Sequence, residues 1–139
     1  MRNIDPISKI MSTNIIALNR EDDLEMAERL FKRHKIRHIP VVREGVVVGM
    51  LSYTDLLRIS FADAVEDTDT DVDSLVYNMF TIDQVMIKNV VTVTSDASIK
   101  DVAKLLASKE FHAVPVVDNG LLVGIVTTTD LINYLLEQL

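Results

Sequence analysis

The sequence predicts an α+β fold made of two tandem β-α-β-β-α repeats, packed sheet to sheet about a pseudo-twofold axis. Three observations lead there. Shifted by 75 positions, the chain aligns on itself without a gap from Ile7/Ile82 onward. Met11 meets Met86, Leu30 meets Leu105, Pro40-Val41-Val42 meets Pro115-Val116-Val117, and Thr54-Asp55-Leu56 meets Thr129-Asp130-Leu131. A match of that length is a duplication. Within each copy, short β-rich runs flank a segment of helical spacing. Finally, one copy of roughly 55 residues buries too little surface to stand comfortably alone, and two packed together solve this.

Taken in order, residues 15–18 and 90–94 are expected as opening strands. Leu24, Ala27, Leu30 and Phe31 then recur at helical spacing, as do Ile99, Val102, Ala103 and Leu106. Ser98-x-x-Asp101 gives the second of these helices its start. Residues 38–42 and 113–117 are β-rich. Arg43-Glu44-Gly45 and Asp118-Asn119-Gly120 are turns, the latter with the Asn-Gly signature of a type I′ hairpin. Residues 46–52 and 121–127 return as strands, and a closing helix follows each. Each lobe is thus expected as a three-stranded sheet with helices on one face. The expected boundaries are 1–60 for the first repeat, 61–81 for an acidic linker and 82–139 for the second repeat.

The chain has 139 residues, of which 48% are hydrophobic and only 5% aromatic, so the core is aliphatic and largely β-branched. No apolar run approaches the ~20 residues needed to cross a bilayer, and the N-terminal residues lack the apolar stretch of a secretory signal. Cysteine is absent, which removes disulfides, thiolate zinc sites and a Cys nucleophile and fits a cytoplasmic protein. A net charge of −7 argues against nucleic-acid binding. That charge is uneven: residues 1–60 carry +2, residues 61–81 carry −6 and residues 82–139 carry −3. The acids of the linker (Asp63, Glu66, Asp67, Asp69, Asp71, Asp73) are expected to form a solvated spacer, with a divalent-metal site as the remote alternative; no metal ligands are assigned. The basic first repeat is the part suited to an anion.

The most informative motif occurs twice, as GMLSYTD at 49–55 and GIVTTTD at 124–130. In each, a hydroxyl residue ends a strand and Asp follows three places later at the head of a helix. Ser52-x-x-Asp55 and Thr127-x-x-Asp130 are capping boxes by pattern, and Gly49 and Gly124 allow close packing within a strand. On pattern alone, that structural account is the better one. The same geometry also suits a nucleotide. Helix-start amides and the hydroxyls of Ser52, Thr54, Thr127 and Thr129 serve phosphate, while a carboxylate repels phosphate but accepts from both hydroxyls of a diol.

The wider context carries a resemblance. Ile36-Arg37-His38-Ile39-Pro40-Val41-Val42 with residues 49–55, and Phe111-His112-Ala113-Val114-Pro115-Val116-Val117 with residues 124–130, resemble the CBS domain, the cystathionine β-synthase type regulatory domain, in tandem as a Bateman module. The resemblance implies clefts between the lobes for adenosine-containing ligands (AMP, ADP, ATP or S-adenosylmethionine), a homodimer, and regulation of a partner protein not named by the sequence. Position by position, it implies that Asp55 and Asp130 take ribose hydroxyls, with Ser52, Thr54, Thr127 and Thr129 near ribose and phosphate. Ile39-Pro40 and Val114-Pro115, with Asn14-Ile15 and Asn89-Val90, would hold adenine. Arg37-His38 in the first repeat and His112-Ala113 in the second occupy the place of phosphate contacts.

From residue 29 to 43 there are eight basic or His residues, Glu44 being the next acid. A solvated helix face accounts for Arg29, Lys32 and Arg33; Arg37, able to bind phosphate bidentately, is the sharper candidate. The sequence offers no Gly-rich phosphate loop and no nucleophile with a spaced base, so the expected function is a regulatory nucleotide-binding module and not an enzyme. The rival is an interaction or dimerisation module with vestigial clefts, because capping alone already explains both Asp residues.

Overall fold

The computed structural model describes residues 5–63, 79–109 and 112–139. The chain divides into two compact units, and the division does not follow the duplication. One unit is Ile16–Val90; the other joins Met1–Ile15 to Val91–Leu139. Each therefore holds the sheet and helices of one repeat together with the leading segment of the other. Of the expected linker, Glu66, Asp67, Asp69, Asp71 and Asp73 lie outside the described residues.

The unit of the first repeat contains β1 (Leu18–Asn19), α1 (Leu24–His34), β2 (His38–Arg43), β3 (Val46–Ser52), α2 (Tyr53–Asp63) and α3 (Ile82–Val85). Its sheet has the order β1-β2-β3. β1 runs parallel to β2 through Leu18↔Val41 and Asn19↔Val42, and β2 is antiparallel to β3. The opening strand is shorter and later than the expected 15–18, because only Leu18 and Asn19 find partners on β2; Ile15 belongs to the other unit. α1 is amphipathic, burying Leu24, Ala27 and Phe31. Asp23 caps it by accepting from the Met26 amide at 2.8 Å. It ends on Lys35, whose φ of 54° makes a left-handed cap, with Lys32, Arg33 and His34 complementing the carbonyl end.

The unit of the second repeat contains a 3-10 turn (Ile7–Lys9), α4 (Ile99–Lys109), β4 (Ala113–Asp118), β5 (Leu121–Thr127) and α5 (Thr128–Gln138). Its sheet is the β4-β5 pair. The strand expected at 90–94 contracts to one bridge, Val93↔Val116, held by Val93 N donating to Pro115 O at 3.1 Å and Val117 N to Val93 O at 2.8 Å. Ser98 Oγ accepts from the Asp101 amide at 3.0 Å, starting α4 as its pattern requires.

The two hairpins match in detail. Glu44-Gly45 and Asn119-Gly120 all have positive φ (52° and 82°, 53° and 83°), so both turns are of the I′ kind although only the second carries the Asn-Gly signature. The ladder shifts between Val41 and Val42 and at the equivalent Val116 and Val117, leaving Val48 and Val123 as the extra residues of matching bulges.

Each unit has its own core, completed by the exchanged segment. In the first, Leu18, Leu24, Ala27, Phe31, Ile39, Val41, Leu51 and Leu56 enclose Ile82 and Met86 from the start of the second repeat. α3 is fixed there by a reciprocal capping box between Thr81 and Gln84. In the other unit Ile7 joins Ile99, Val102, Leu106, Val114, Val116, Val126 and Tyr134. Its segment is stitched by Ile7 N to Ala97 O (2.7 Å) and Ile99 N to Asp5 O (2.8 Å). The Tyr134 hydroxyl donates to Asp5 Oδ2 at 3.1 Å; burial, then this carboxylate, raises its pKa above the ordinary phenol value. Ile7 and Ile82 are both fully buried, each worth roughly 1.5–3 kcal/mol of transfer free energy.

Candidate functional site

The repeated heptapeptides lie at equivalent junctions, where β3 passes into α2 and β5 into α5. In the first, His38 stands opposite Ser52 across the β2-β3 ladder, and the Tyr53 amide donates to Arg37 O at 2.8 Å. This bond ties the Arg37-His38 step to the helix start. In the second, Ala113 stands opposite Thr127. His112 O accepts from the Thr128 amide at 2.9 Å and from its hydroxyl at 3.2 Å. Ile39-Pro40 and Val114-Pro115 are buried one step further along; Arg37, Thr54, His112 and Thr129 are exposed, and Asp55 and Asp130 half-buried.

Both hydroxyls cap their helices: Ser52 Oγ accepts from the Asp55 amide at 3.0 Å and Thr127 Oγ1 from the Asp130 amide at 3.2 Å. The carboxylates then part ways. Asp130 Oδ2 returns the bond, accepting from the Thr127 amide at 2.8 Å and closing the capping box. Asp55 Oδ1 instead faces Arg58 Nη1 at 3.4 Å. The Arg58 side chain is 74% exposed, so this pair is loose. Sequence reasoning passed over Arg58, though its i,i+3 spacing from Asp55 was the available signal; the equivalent residue in the second repeat is Asn133.

The glycines of the motif have a specific tenant. A Cβ on Gly49 would collide with the Met86 side chain, Sδ first; one on Gly124 would meet Met11 Sδ at 2.6 Å and Ser12 O at 3.1 Å. The leading segments therefore lie directly on the motif strand of the other repeat. A two-way bridge follows in each case. Met50 and Ile87 exchange bonds of 2.9 Å in both directions, and Ser12 and Ile125 exchange bonds of 2.9 and 3.0 Å.

This exchange decides which predicted residues share a unit. Asn89 and Val90 belong with Arg37, His38, Ile39, Pro40, Ser52, Thr54 and Asp55; Asn14 and Ile15 belong with His112, Ala113, Val114, Pro115, Thr127, Thr129 and Asp130. The sequence could not indicate this, since self-alignment pairs Asn14 with Asn89 and is silent on which sheet each approaches.

The electrostatics differ as well. Where the second repeat has Ser95 and Asp118, the first has Arg20 and Arg43. Ser95 donates to Asp118 from its hydroxyl at 2.5 Å and its amide at 3.0 Å, which holds the Asp118 carboxyl below its ordinary pKa. Arg20 pairs instead with Asp83 on α3 at 2.7 Å, with Lys88 on the other oxygen at 3.2 Å. Lys88, then Arg20, lowers the Asp83 pKa. Among the described residues no group of three His, Asp or Glu is gathered as a metal site, and no helix is long and apolar enough to cross a membrane.

Comparison with known proteins fits this architecture. The CBS domain family pattern matches residues 7–62 and again 82–137. The chain is 30% identical over 125 residues to the CBS domain-containing protein YhcV of Bacillus subtilis, covering 90% of this chain and 81% of that one. Other relatives are longer: the chain spans 32% of a Methanocaldococcus jannaschii protein, MJ1404, to which it is 31% identical. Among solved structures, the CBS domain pair of protein MJ0100, in complex with 5′-methylthioadenosine and S-adenosyl-L-methionine, superposes with a TM-score of 0.78 at 28% identity, over 98% of this chain and 99% of that one. CBSX2 in complex with AMP shares the fold, with a TM-score of 0.80 at 23% identity over 96% and 97%.

Proposed function

The chain belongs to the CBS domain family, and from that premise we propose that it is a non-catalytic regulatory module that binds an adenosine-containing ligand at each motif junction and signals to a partner protein as a homodimer. The observation that carries this reading is the likeness to the MJ0100 domain pair, which holds two adenosyl compounds and aligns along nearly the whole chain. The junctions supply fitting chemistry. Asp55 and Asp130 offer carboxylate oxygens to a ribose diol, and the buried Ile39-Pro40 and Val114-Pro115 steps offer apolar surface and carbonyls to adenine. Arg37 gives the first repeat an exposed cation that the second lacks, Ala113 and His112 standing in the corresponding places.

A panel of AMP, ADP, ATP, NAD and S-adenosylmethionine, read by thermal shift, tests the proposal. A ligand present at 100 times its Kd adds about 2.7 kcal/mol to stability. Phosphorylated ligands are expected to outrank S-adenosylmethionine, through Arg37. The absence of a shift with all five at millimolar concentration overturns the reading. The second reading, an assembly module whose junctions only cap helices, is favoured by the closed Thr127–Asp130 box. It expects a stable dimer indifferent to every ligand in the panel.

A further inference from the structure

We infer that the two junctions are coupled through the two short crossovers by which the chain passes between the units, so that ligand held at one junction alters the backbone of the opposite unit. This deepens the adenosine-binding reading and rests on it.

The crossovers are short and pinned at both ends. Ile87 is bonded in both directions to Met50 in one unit, and Val93 in both directions to the β4 strand in the other. Only residues 88–92 lie between. The second crossover repeats the plan. Ser12 is bonded in both directions to Ile125, Leu18 pairs with Val41, and only residues 13–17 intervene. Immediately before each crossover a methionine is seated against a glycine of the motif strand, Met86 on Gly49 and Met11 on Gly124. The segment therefore has little slack on that strand.

Of the residues that the CBS resemblance sets beside adenine, Ile39-Pro40 and Val114-Pro115 lie on the sheets, while Asn14-Ile15 and Asn89-Val90 fall inside these two five-residue spans. Ile15 and Val90 are the last residues before the chain changes unit. A ligand gripping Asn89 and Val90 holds the middle of a tether whose far end is Val93, and Val93 is the residue that bridges Val116. Binding at the first junction is thus conveyed to the edge of the second sheet, and the mirror path runs from Ile15 to β1. Since coupling between binding sites is reciprocal, each ligand changes the affinity for the other by one common factor, typically about 5–150-fold.

Amide hydrogen exchange on the full chain tests this, with the second junction disabled by Asp130→Ala and AMP as the probe. The expected result is slowing of exchange at Val93 and Val117 by about 5-fold or more beyond any slowing along α5, which reports global stabilisation. Two glycines inserted between Val91 and Thr92 are expected to remove that excess while leaving AMP protection at Ile39 and Leu51. Protection at Ile39 and Leu51 with no excess at Val93 and Val117, measured without the insertion, overturns the coupling and leaves the binding reading standing. Protection at neither pair overturns both.

Discussion

At Thr127 the helix start closes on itself: hydroxyl to amide and carboxylate to amide, with Thr127 and Asp130 satisfying each other. At Ser52 the hydroxyl makes its half of the same exchange, while the Asp55 carboxylate turns toward an exposed Arg58. The hairpin backbones leading into the two helix starts are alike, down to the position of the bulge and the φ values of the turn. Duplication has kept what the chain path requires and relaxed what only charge requires. Asp130 is therefore committed to the fold before any ligand arrives, whereas Asp55 is held by a pair that solvent screens.

The glycine–methionine seats give the largest expected effects. Met86→Ala vacates a buried site and should cost about 2–5 kcal/mol, and Gly49→Ala, by overpacking against Met86, about 1–3 kcal/mol. The two together should cost less than their sum, because the new methyl enters the vacated space. Urea melts of the three variants measure this. In the second repeat the same cycle with Gly124→Ala and Met11→Ala should show weaker compensation, since the Ser12 carbonyl also crowds that position. Equal compensation in both repeats would count against this difference.

The aspartates come next. Asp130→Ala strands the Thr127 amide and is expected to cost about 1 kcal/mol. Asp55→Ala should stay within about 0.5 kcal/mol while weakening adenosyl-ligand binding about tenfold or more. Calorimetric titration beside thermal melts separates the two. A stability loss at Asp55 matching that at Asp130 would erase the distinction.

Glu44 holds a left-handed conformation that its counterpart Asn119 adopts with less strain, so Glu44→Asn should stabilise the protein by up to about 1 kcal/mol, seen as a raised urea midpoint.

The smallest effect is the pH dependence. Asp118 and Asp83 both have lowered pKa values. Each therefore contributes stability that is present above the ordinary carboxylate pKa and lost as pH falls through the lowered one. The Asp118 contribution comes from neutral Ser95 and should persist in 1 M salt, while that of Asp83 comes from Lys88 and Arg20 and should fade. Acid titrations of Asp118→Asn and Asp83→Asn at two salt concentrations read it.

Much of the fold was legible because the local signals agree with it. Periodicity marked α1 and α4, Ser98-x-x-Asp101 marked a true cap, and Asn119-Gly120 marked a true I′ turn. The opening strands were misjudged because their length is set by partners on β2 and β4, not by their own β-branched residues. The first turn hid its type behind Glu44. The repeated motif marked the two strand-to-helix junctions, but not how the candidate residues group around them. Whether Asn89 lies with Asp55 or with Asp130 depends on a segment exchange, and the visible trace of that exchange, Met86 opposite Gly49 and Met11 opposite Gly124, has no meaning until the strands are paired.

The exchange of leading segments also sets where this molecule tolerates cutting. A break between residues 64 and 78 separates the repeats in sequence, yet each fragment then carries the piece that completes the other: Ile7 leaves with the wrong half, and so do Ile82 and Met86. Neither fragment holds a whole core, and only the two together do, as in a complementation pair. The stretch of chain that carries one whole core is instead Ile16–Val90, which begins inside one repeat and ends inside the next.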